Sequence, residues 1–200
     1  MKNAIIYVHG QGGNYLEAGS YKKNCPNFDM YGVDYNTYLP WVVKKEIIKV
    51  YDKVRSEYER VYVIANSIGA YFSMYALQNF YIEKALFISP VLDMESLILD
   101  MMNWSNISEK ELYEKKEIKT NIGEVISWDY LHFVRENHFK WDIPTKILYA
   151  ERDELISRQT IDDFQKKHNV GLTIMHGGEH WFHTERQIDY LNDWMKRSMS

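Results

Sequence analysis

A serine, a carboxylate and a histidine each follow a predicted strand, although they stand far apart in the chain. Ser67 lies in the stretch Ala65-Asn66-Ser67-Ile68-Gly69, Asp153 follows an apolar run that ends at Ala150, and His180 follows a glycine turn. Acyl transfer needs a hydroxyl nucleophile, an imidazole that takes its proton, and a carboxylate that orients the imidazole and stabilises its cation. The three residues therefore predict a site for nucleophilic hydrolysis.

The stretch around Ser67 predicts a sharp turn between a strand and a helix. The residues two positions away on each side, Ala65 and Gly69, are small enough for such a turn. The turn would present the Ser67 hydroxyl at a helix N-terminus, where the helix dipole favours developing negative charge. This stretch is equally compatible with Ser67 being an ordinary helix N-cap.

A second glycine-rich stretch, His9-Gly10-Gln11-Gly12-Gly13, directly follows the first predicted strand. Its glycines allow a tight turn that aims backbone N–H groups into a cleft at the carboxyl ends of the strands. A dinucleotide-binding motif would need glycine where Tyr15 stands, and no lysine follows as in a phosphate-binding loop. The stretch is better suited to be half of an oxyanion hole, with the N–H of Ile68 as the other half.

Three histidines and several carboxylates compete for the catalytic roles. His180 is favoured as the base over His176, at a strand end, and His183, at the start of a helix, because the preceding glycines leave its loop free to reach the serine. Asp153 is favoured as the acid over its neighbours Glu151 and Glu154, and Asp93, after the fourth strand, is the remaining alternative.

The histidine cluster is also a candidate metal site. Glu179 lies between His176 and His183 and could add a carboxylate ligand. Because Gly177 and Gly178 interrupt any helix here, the spacing of a zinc-binding helix is lost, and no cysteine is nearby. We expect neither a metal nor another cofactor.

The elements that must position these residues alternate between strands and helices. Helices are predicted from Trp41 to Glu59, after Ser67, from near Ser157 to Lys167, and from Thr184, which forms a capping-box pair with Gln187. The predicted strands are Ala4–Val8, Met30–Tyr35, Val61–Ala65, Ala85–Ser89, Lys146–Ala150 and Leu172–Met175. This order predicts one α/β domain over residues 1–200, with a doubly wound, mostly parallel sheet of about six strands.

The segment from Asp93 to Trp141 departs from this alternation. It contains no convincing strand, is rich in Met, Trp, Tyr and Leu, and carries a capping box at Ser108 and Glu111. Because structureless segments of this length are uncommon in compact domains, we interpret it as a helical insertion.

Composition excludes several classes of protein. The 200 residues are 46% hydrophobic and carry a net charge of −4, which argues against a nucleic-acid-binding surface. The single cysteine, Cys25, cannot form an internal disulfide. The first apolar run is too short for a signal peptide or a membrane span, so we expect a cytoplasmic protein with no membrane partner.

The chain resembles the α/β-hydrolase superfamily over nearly the whole sequence. The resemblance rests on four stretches: His9-Gly10-Gln11-Gly12-Gly13, the turn Ala65-Asn66-Ser67-Ile68-Gly69, the loop around Asp153, and Gly178-Glu179-His180. The resemblance implies Ser67 as nucleophile, His180 as general base and then acid, Asp153 as orienting carboxylate, and the N–H groups of Gln11 and Ile68 as the oxyanion hole. It also implies that the insertion is the variable lid of the family. Ala65 departs from the usual first glycine of the nucleophile elbow. Because the chain starts at the His-Gly strand, we expect a minimal fold that lacks the first two strands of larger relatives.

The resulting expectation is a serine hydrolase that cleaves a small carboxylic ester. Thioester or amide cleavage is an alternative, because the same machinery serves all three reactions. A different alternative is a binding or sensor protein that only recognises a small ligand with this fold. Substrate contacts are expected from His9, Gly10, Trp128 and Trp181.

Overall fold

The computed structural model describes residues 2–199 as strands and helices that largely alternate along the chain. The strands are β1 Asn3–Val8, β2 Phe28–Gly32, β3 Arg60–Asn66, β4 Lys84–Ile88, β5 Glu117–Lys119, β6 Val125–Ser127, β7 Thr145–Ala150 and β8 Val170–Met175. The α-helices are α1 Ala18–Tyr21, α2 Pro40–Glu57, α3 Ile68–Leu77, α4 Met94–Trp104, α5 Glu109–Lys115, α6 Trp128–Glu136, α7 Arg158–Lys167 and α8 Glu185–Met199.

Six strands form one sheet in the order β2-β1-β3-β4-β7-β8, and every neighbouring pair is parallel. The predicted α/β class with a parallel sheet of about six strands is therefore confirmed. Parallel strands end at the same edge of a sheet, so the loops after β1, β3, β4, β7 and β8 all emerge on one side. The register aligns Val8 with Ala65, and Asn66 with Ile88, at that edge.

Both faces of this sheet are covered, which explains why its strands are apolar throughout rather than alternating. On one face, alternate strand residues form a core with α1 and α8. Its fully or almost fully buried members include Ile5, Tyr7, Ile64, Leu86, Leu148, Trp194 and Met195. On the other side, α2 and α3 pack against β1 and β3.

The helices follow the predicted apolar periodicity. α2 begins at Pro40, where a missing N–H is harmless, and buries Val43, Ile47 and Val54. Before α8, the predicted capping box is present, since the Gln187 N–H donates to Thr184 Oγ1 and the Gln187 side chain accepts from the Thr184 N–H. None of the helices formed by residues 2–199 combines the length and the apolar content that a membrane crossing requires.

Two predictions about local structure are wrong. β2 spans Phe28–Gly32 and not Met30–Tyr35, so it starts two residues earlier than predicted. The ring of Phe28 at its start packs edge-on against Tyr62, with ring centroids 5.0 Å apart. The segment expected to lack strands contains the antiparallel pair β5 and β6. Three-residue strands are too short to show an alternating pattern, and the turn between them depends on Gly123, whose φ is +93°.

The chain divides into two compact units. The first comprises the chain up to Leu92 and from Lys140 onward and contains the six-stranded sheet. The second is Asp93–Phe139, formed by α4, α5, the β5–β6 pair and α6. Within this second unit, Arg135 bridges Glu95 and Glu109, each at 2.6 Å. The role of this second unit as a lid remains a prediction.

Gly69 allows α3 to approach the end of β1 closely. A Cβ atom at this position would lie 2.4 Å from the Val8 carbonyl oxygen and 2.5 Å from that of His9. We expect Gly69→Ala to destabilise the fold by roughly 1–3 kcal/mol or more, because backbone must move to accept it. Urea denaturation measures this change. Gly19→Ala is the control: α1 leaves open space there, so its free energy of unfolding should stay the same or rise by up to about 1 kcal/mol. Equal losses in both variants would contradict the interpretation.

Candidate active site

Ser67 occupies a strained turn between β3 and α3. Its φ of 49° and ψ of −121° lie in a region that a non-glycine residue adopts only when its surroundings enforce it. Three backbone hydrogen bonds enforce it here. The Ser67 N–H donates to the Ile88 carbonyl at 3.0 Å, and the Ser67 carbonyl accepts from Ala70 at 3.1 Å and Val91 at 3.0 Å. The serine side chain makes no N-cap hydrogen bond with α3, so capping does not explain its presence.

The residues two positions from Ser67 are not equivalent. Gly69 cannot be replaced without a clash with the backbone at the end of β1. Ala65 is completely buried in β3, where it is paired with Val8 of β1 and Phe87 of β4, so its methyl group is accommodated there. The close approach of the loop after β1 also depends on Gly10, whose Cβ would lie 3.3 Å from that of Ser67.

The structure brings Ser67, His180 and Asp153 together in a chain of hydrogen bonds. His180 Nε2 lies 3.0 Å from Ser67 Oγ, and His180 Nδ1 lies 2.7 Å from Asp153 Oδ2. The side chain of Asp153 is entirely buried and that of His180 is 6% exposed. With Nδ1 facing a carboxylate, the ring carries its proton there and leaves Nε2 as the acceptor for the serine hydroxyl.

Asp153 is held by its own loop. Its Oδ1 accepts hydrogen bonds from the backbone N–H groups of Leu155 at 3.0 Å and Ile156 at 2.9 Å, which leaves Oδ2 directed at His180. The other carboxylates considered for the role of Asp153 either form hydrogen bonds outside the triad or are exposed. Asp93 caps α4 by accepting from the Ser96 N–H, and Glu151 binds His176.

The other two histidines of the cluster lie at the surface. His176 Nδ1 is 3.0 Å from Glu151 Oε1, and its side chain is 83% exposed. His183 Nε2 is 3.5 Å from Glu179 Oε2, again with both side chains largely in solvent. Within residues 2–199, no group of three His, Cys, Asp or Glu side chains is arranged to hold a metal ion.

A cleft of about 440 Å³ opens over Ser67. The loop after β1 and the helical segment that follows it contribute mostly polar groups, whereas the loop after β8 and α8 contribute apolar ones. The cleft is lined by Gly10, Gln11, Gly12, Gly13, Glu17, Tyr21, Asn66, Ser67, Ile88, Ser89, His180, Trp181, Phe182 and Leu191.

The remaining predicted site residues lie in different surroundings. Gly10, Gln11 and Trp181 line the cleft, and Trp181, 61% exposed, contacts the His180 ring edge-on. Ile68 is the first residue of α3, where a backbone N–H has no partner within the helix. His9 and Trp128 are outside the set of residues that line the cleft.

The surroundings of His9 and Trp128 account for this. His9 is 1% exposed and its ring stacks on Tyr35, with centroids 3.9 Å apart. Trp128 begins α6 in the second unit, where it packs edge-on against Tyr113 and stacks with His132.

Sequence reasoning missed four polar residues of the cleft: Glu17, Tyr21, Asn66 and Ser89. Glu17 and Tyr21 belong to a short helical stretch that was not predicted, although Asn14 and Glu17 stand at capping-box spacing and form such a box. Ser89 directly follows β4 and has a φ of 41°; its buried hydroxyl has no hydrogen-bond partner among residues 2–199.

A buried tyrosine joins Glu17 to the nucleophile turn. Tyr7 donates its hydroxyl hydrogen to Glu17 Oε2 at 2.5 Å and accepts from Asn66 Nδ2 at 2.8 Å. Asn66 Nδ2 also donates to the Tyr21 hydroxyl at 3.1 Å. Burial, followed by the neighbouring Tyr21 and Glu17, raises the pKa of Tyr7 far above its ordinary value, so this phenol stays protonated.

No protein-family model and no curated protein matches the sequence. Solved structures do match. Mouse alpha/beta hydrolase domain-containing protein 10 aligns with 98% of this chain and 89% of its own, at 14% identity and a TM-score of 0.80. The chain has the α/β-hydrolase fold.

Two further solved structures share this α/β-hydrolase fold. Est1E from Butyrivibrio proteoclasticus covers 99% of the chain and 86% of its own, at 16% identity and a TM-score of 0.77. A lipase-esterase related protein from Clostridium acetobutylicum ATCC 824 covers 98% and 93%, at 16% identity and a TM-score of 0.67.

Glu151 braces the glycine turn that precedes His180. It accepts from His176 Nδ1 and, at 2.7 Å, from the Gly177 N–H, and these two bonds lower the pKa of its carboxyl group. A carboxyl pKa that is lower in the folded protein than in the unfolded chain stabilises the fold above the ordinary carboxyl range. That contribution is lost as pH falls through the folded-state pKa.

We therefore expect wild type to be more stable than Glu151→Gln near pH 7, with the difference shrinking as pH falls below the ordinary carboxyl range and through the lowered folded-state pKa of Glu151. Urea midpoints across this range measure the effect. Glu154→Gln, in the same loop and exposed, is the control and should show no comparable trend. A Glu151→Gln deficit that stays constant with pH would contradict the expectation.

Proposed function

We propose that the protein is a serine hydrolase that cleaves small carboxylic esters through an acyl-enzyme on Ser67. The observation that carries the proposal is the uninterrupted chain of hydrogen bonds from Asp153 through His180 to Ser67 Oγ, at the floor of a cleft. A binding protein would need none of the three residues to be connected in this way. The name of one protein of similar fold, a lipase-esterase related protein, agrees with the proposal.

In the first step, Ser67 Oγ attacks the ester carbonyl carbon while His180 Nε2 takes its proton. Asp153 holds the imidazole by its Nδ1–H and stabilises the cation that forms. Because the Asp153 side chain is completely buried, water does not screen this attraction. The His180 cation then gives its proton to the departing alcohol, and a water molecule activated by His180 releases the acid.

The negative charge that develops on the carbonyl oxygen needs donors that are already in place. The backbone N–H groups of Gln11 and Ile68 are the proposed donors, one from the loop after β1 and one from the first turn of α3. The N-terminus of α3 adds a favourable dipole at the same point. Preorganised donors of this kind are each worth about 10²–10³-fold in rate.

The size and lining of the cleft support a small substrate. Its volume of about 440 Å³ lies toward the lower end of ordinary ligand sites, which span roughly 300–1,000 Å³. Ile88, Phe182 and Leu191 offer apolar contacts for an acyl or alcohol group. A solved structure of Est1E, a protein of this fold, has ferulic acid bound, so a ferulate ester belongs in a substrate panel beside short nitrophenyl esters, a thioester and an amide.

A fluorophosphonate probe tests the nucleophile directly. We expect covalent labelling of the wild-type protein, with the modified peptide containing Ser67, and no labelling of Ser67→Ala. Ser89→Ala is the matched control, because Ser89 is a buried serine with positive φ that lines the same cleft. It should still be labelled. Labelling that survives Ser67→Ala, or that never occurs, would favour the binding-protein alternative.

The acid can be tested by an exchange that preserves shape. Asp153→Asn should leave the protein folded but lower kcat on nitrophenyl acetate by roughly 10³–10⁴-fold, because an amide cannot hold the required tautomer or stabilise the cation. Asp93→Asn removes a charge at a cap outside the triad and should retain nearly full kcat. The reverse result would assign the acid role to Asp93. Circular dichroism confirms folding of both.

A further inference from the structure

Glu17 gives the cleft a negative charge beside the nucleophile. Among the described residues that line it, Glu17 is the one acidic side chain, and no lysine or arginine lines it. The carboxylate is partly exposed and sits at the end of a one-turn 3₁₀ helix, Tyr15–Glu17. A substrate in the cleft therefore meets one fixed negative charge and no positive side chain to balance it.

Two hydrogen bonds fix the position of this carboxylate relative to Ser67. Glu17 Oε2 accepts from the Tyr7 hydroxyl, and that hydroxyl accepts in turn from Asn66, the residue before the nucleophile. Tyr7 is fully buried in the core of β1. The charge is therefore anchored to the same sheet edge as the reacting oxygen and is not a mobile surface group.

The basic residue that follows Glu17 most closely in the chain, Lys22, is directed elsewhere. Its ammonium group donates to the Phe28 carbonyl and lies 3.6 Å from Asp29. In contrast, three aromatic side chains, Tyr21, Trp181 and Phe182, line the cleft together with Glu17. A carboxylate combined with aromatic rings is a favourable setting for a cation, because both attract positive charge.

Glu17 also has a structural role that needs to be separated from this one. Its Oε1 accepts from the Asn14 N–H at 3.3 Å and completes the capping box of the short helix. A capping box accommodates Gln as well as Glu at this position, so capping alone gives no reason for a charge. In Glu17→Gln the amide oxygen can still accept from the Asn14 N–H, while the amide nitrogen faces the Tyr7 hydroxyl and donates to it in place of accepting from it. The variant therefore removes the charge and keeps the cap.

We propose that Glu17 makes the protein selective for esters whose acyl or alcohol part carries a cationic nitrogen. This inference rests on the proposed esterase function and specifies its substrate class. Neutral esters of the same shape would be cleaved less efficiently, and esters with an added carboxylate least of all. Glu17 is here a specificity residue that binds the charged end of the substrate and takes no part in bond making.

The test compares esters that differ only in charge. Acetylcholine and 3,3-dimethylbutyl acetate have the same shape with nitrogen exchanged for carbon in the alcohol part. The 4-nitrophenyl esters of 4-trimethylammoniobutyrate and 5,5-dimethylhexanoate make the same exchange in the acyl part. We expect kcat/KM to favour the cation about tenfold or more in at least one pair, mainly through KM. Equal values within both pairs would overturn the proposal.

The charge is then removed from the protein. Glu17→Gln should lower the ratio of kcat/KM for the preferred cationic ester to kcat/KM for its neutral partner about tenfold, because both esters meet the same change in hydrogen bonding and only the cationic one loses a charge partner. Glu185→Gln, which removes an exposed charge on α8 outside the cleft lining, should preserve the preference. If the preference survives Glu17→Gln, or is lost equally in Glu185→Gln, the selectivity does not come from Glu17.

A binding measurement separates this proposal from the esterase proposal. Calorimetry with choline and 3,3-dimethylbutan-1-ol, or with the ammonium acid and its neutral analogue, needs no catalysis. Tighter binding of the cation, lost in Glu17→Gln, would support the charge selectivity even if no ester were cleaved. Esters cleaved with no discrimination in rate or binding would overturn the role of Glu17 and leave the esterase proposal intact.

Discussion

The strained backbone at Ser67 is the constraint on which the rest of the site depends. A residue with φ of 49° relaxes unless neighbouring strands hold it, and hydrogen bonds to Ile88 and Val91 do so from the adjacent strand and the loop that follows it. On the other side, Gly69 lets α3 press against the carbonyl groups at the end of β1. The serine is thus positioned by three parallel strands at once. Its strain is balanced by contacts with the neighbouring strands together with the local hydrogen bond from the Ala70 N–H.

His180 and Asp153 are positioned by a second, separate set of hydrogen bonds. The loops after β7 and β8 are tied to each other by backbone hydrogen bonds, from the Arg152 N–H to the Gly178 carbonyl and from the Glu151 N–H to the Met175 carbonyl. These bonds hold Asp153 and His180 next to each other in the folded protein. The 3.0 Å hydrogen bond between His180 and Ser67 connects this pair of loops to the nucleophile turn.

Much of this arrangement can be predicted from the sequence because parallel topology makes the prediction simple. Once Ser67, Asp153 and His180 are each assigned to a strand end, the sheet brings those ends to one edge, where the structure has them. The sequence did not reveal Glu17, because its helix is a single turn too short for periodicity, and its neighbour Tyr7 reads as an ordinary core residue. The bounds of β2 and the β5–β6 pair were not predicted for a related reason. A strand of only a few residues is too short to show the alternation of apolar and polar residues that identifies a strand. Trp128 and His9 were singled out by residue type, and type alone does not report which surface a side chain faces.

The position of β8 in the strand order has a consequence for how activity is lost. Ser67 follows β3, which is paired on both sides, whereas His180 follows β8, an outermost strand joined to the sheet through β7 alone. Local opening of an edge strand can cost less free energy than global unfolding, and detachment of β8 would carry the imidazole away while the serine turn stays intact. In that state the protein would look almost entirely native by spectroscopy but would lack the hydrogen bond between His180 and Ser67 that the proposed reaction needs. Heat or denaturant should reach that state before the core melts.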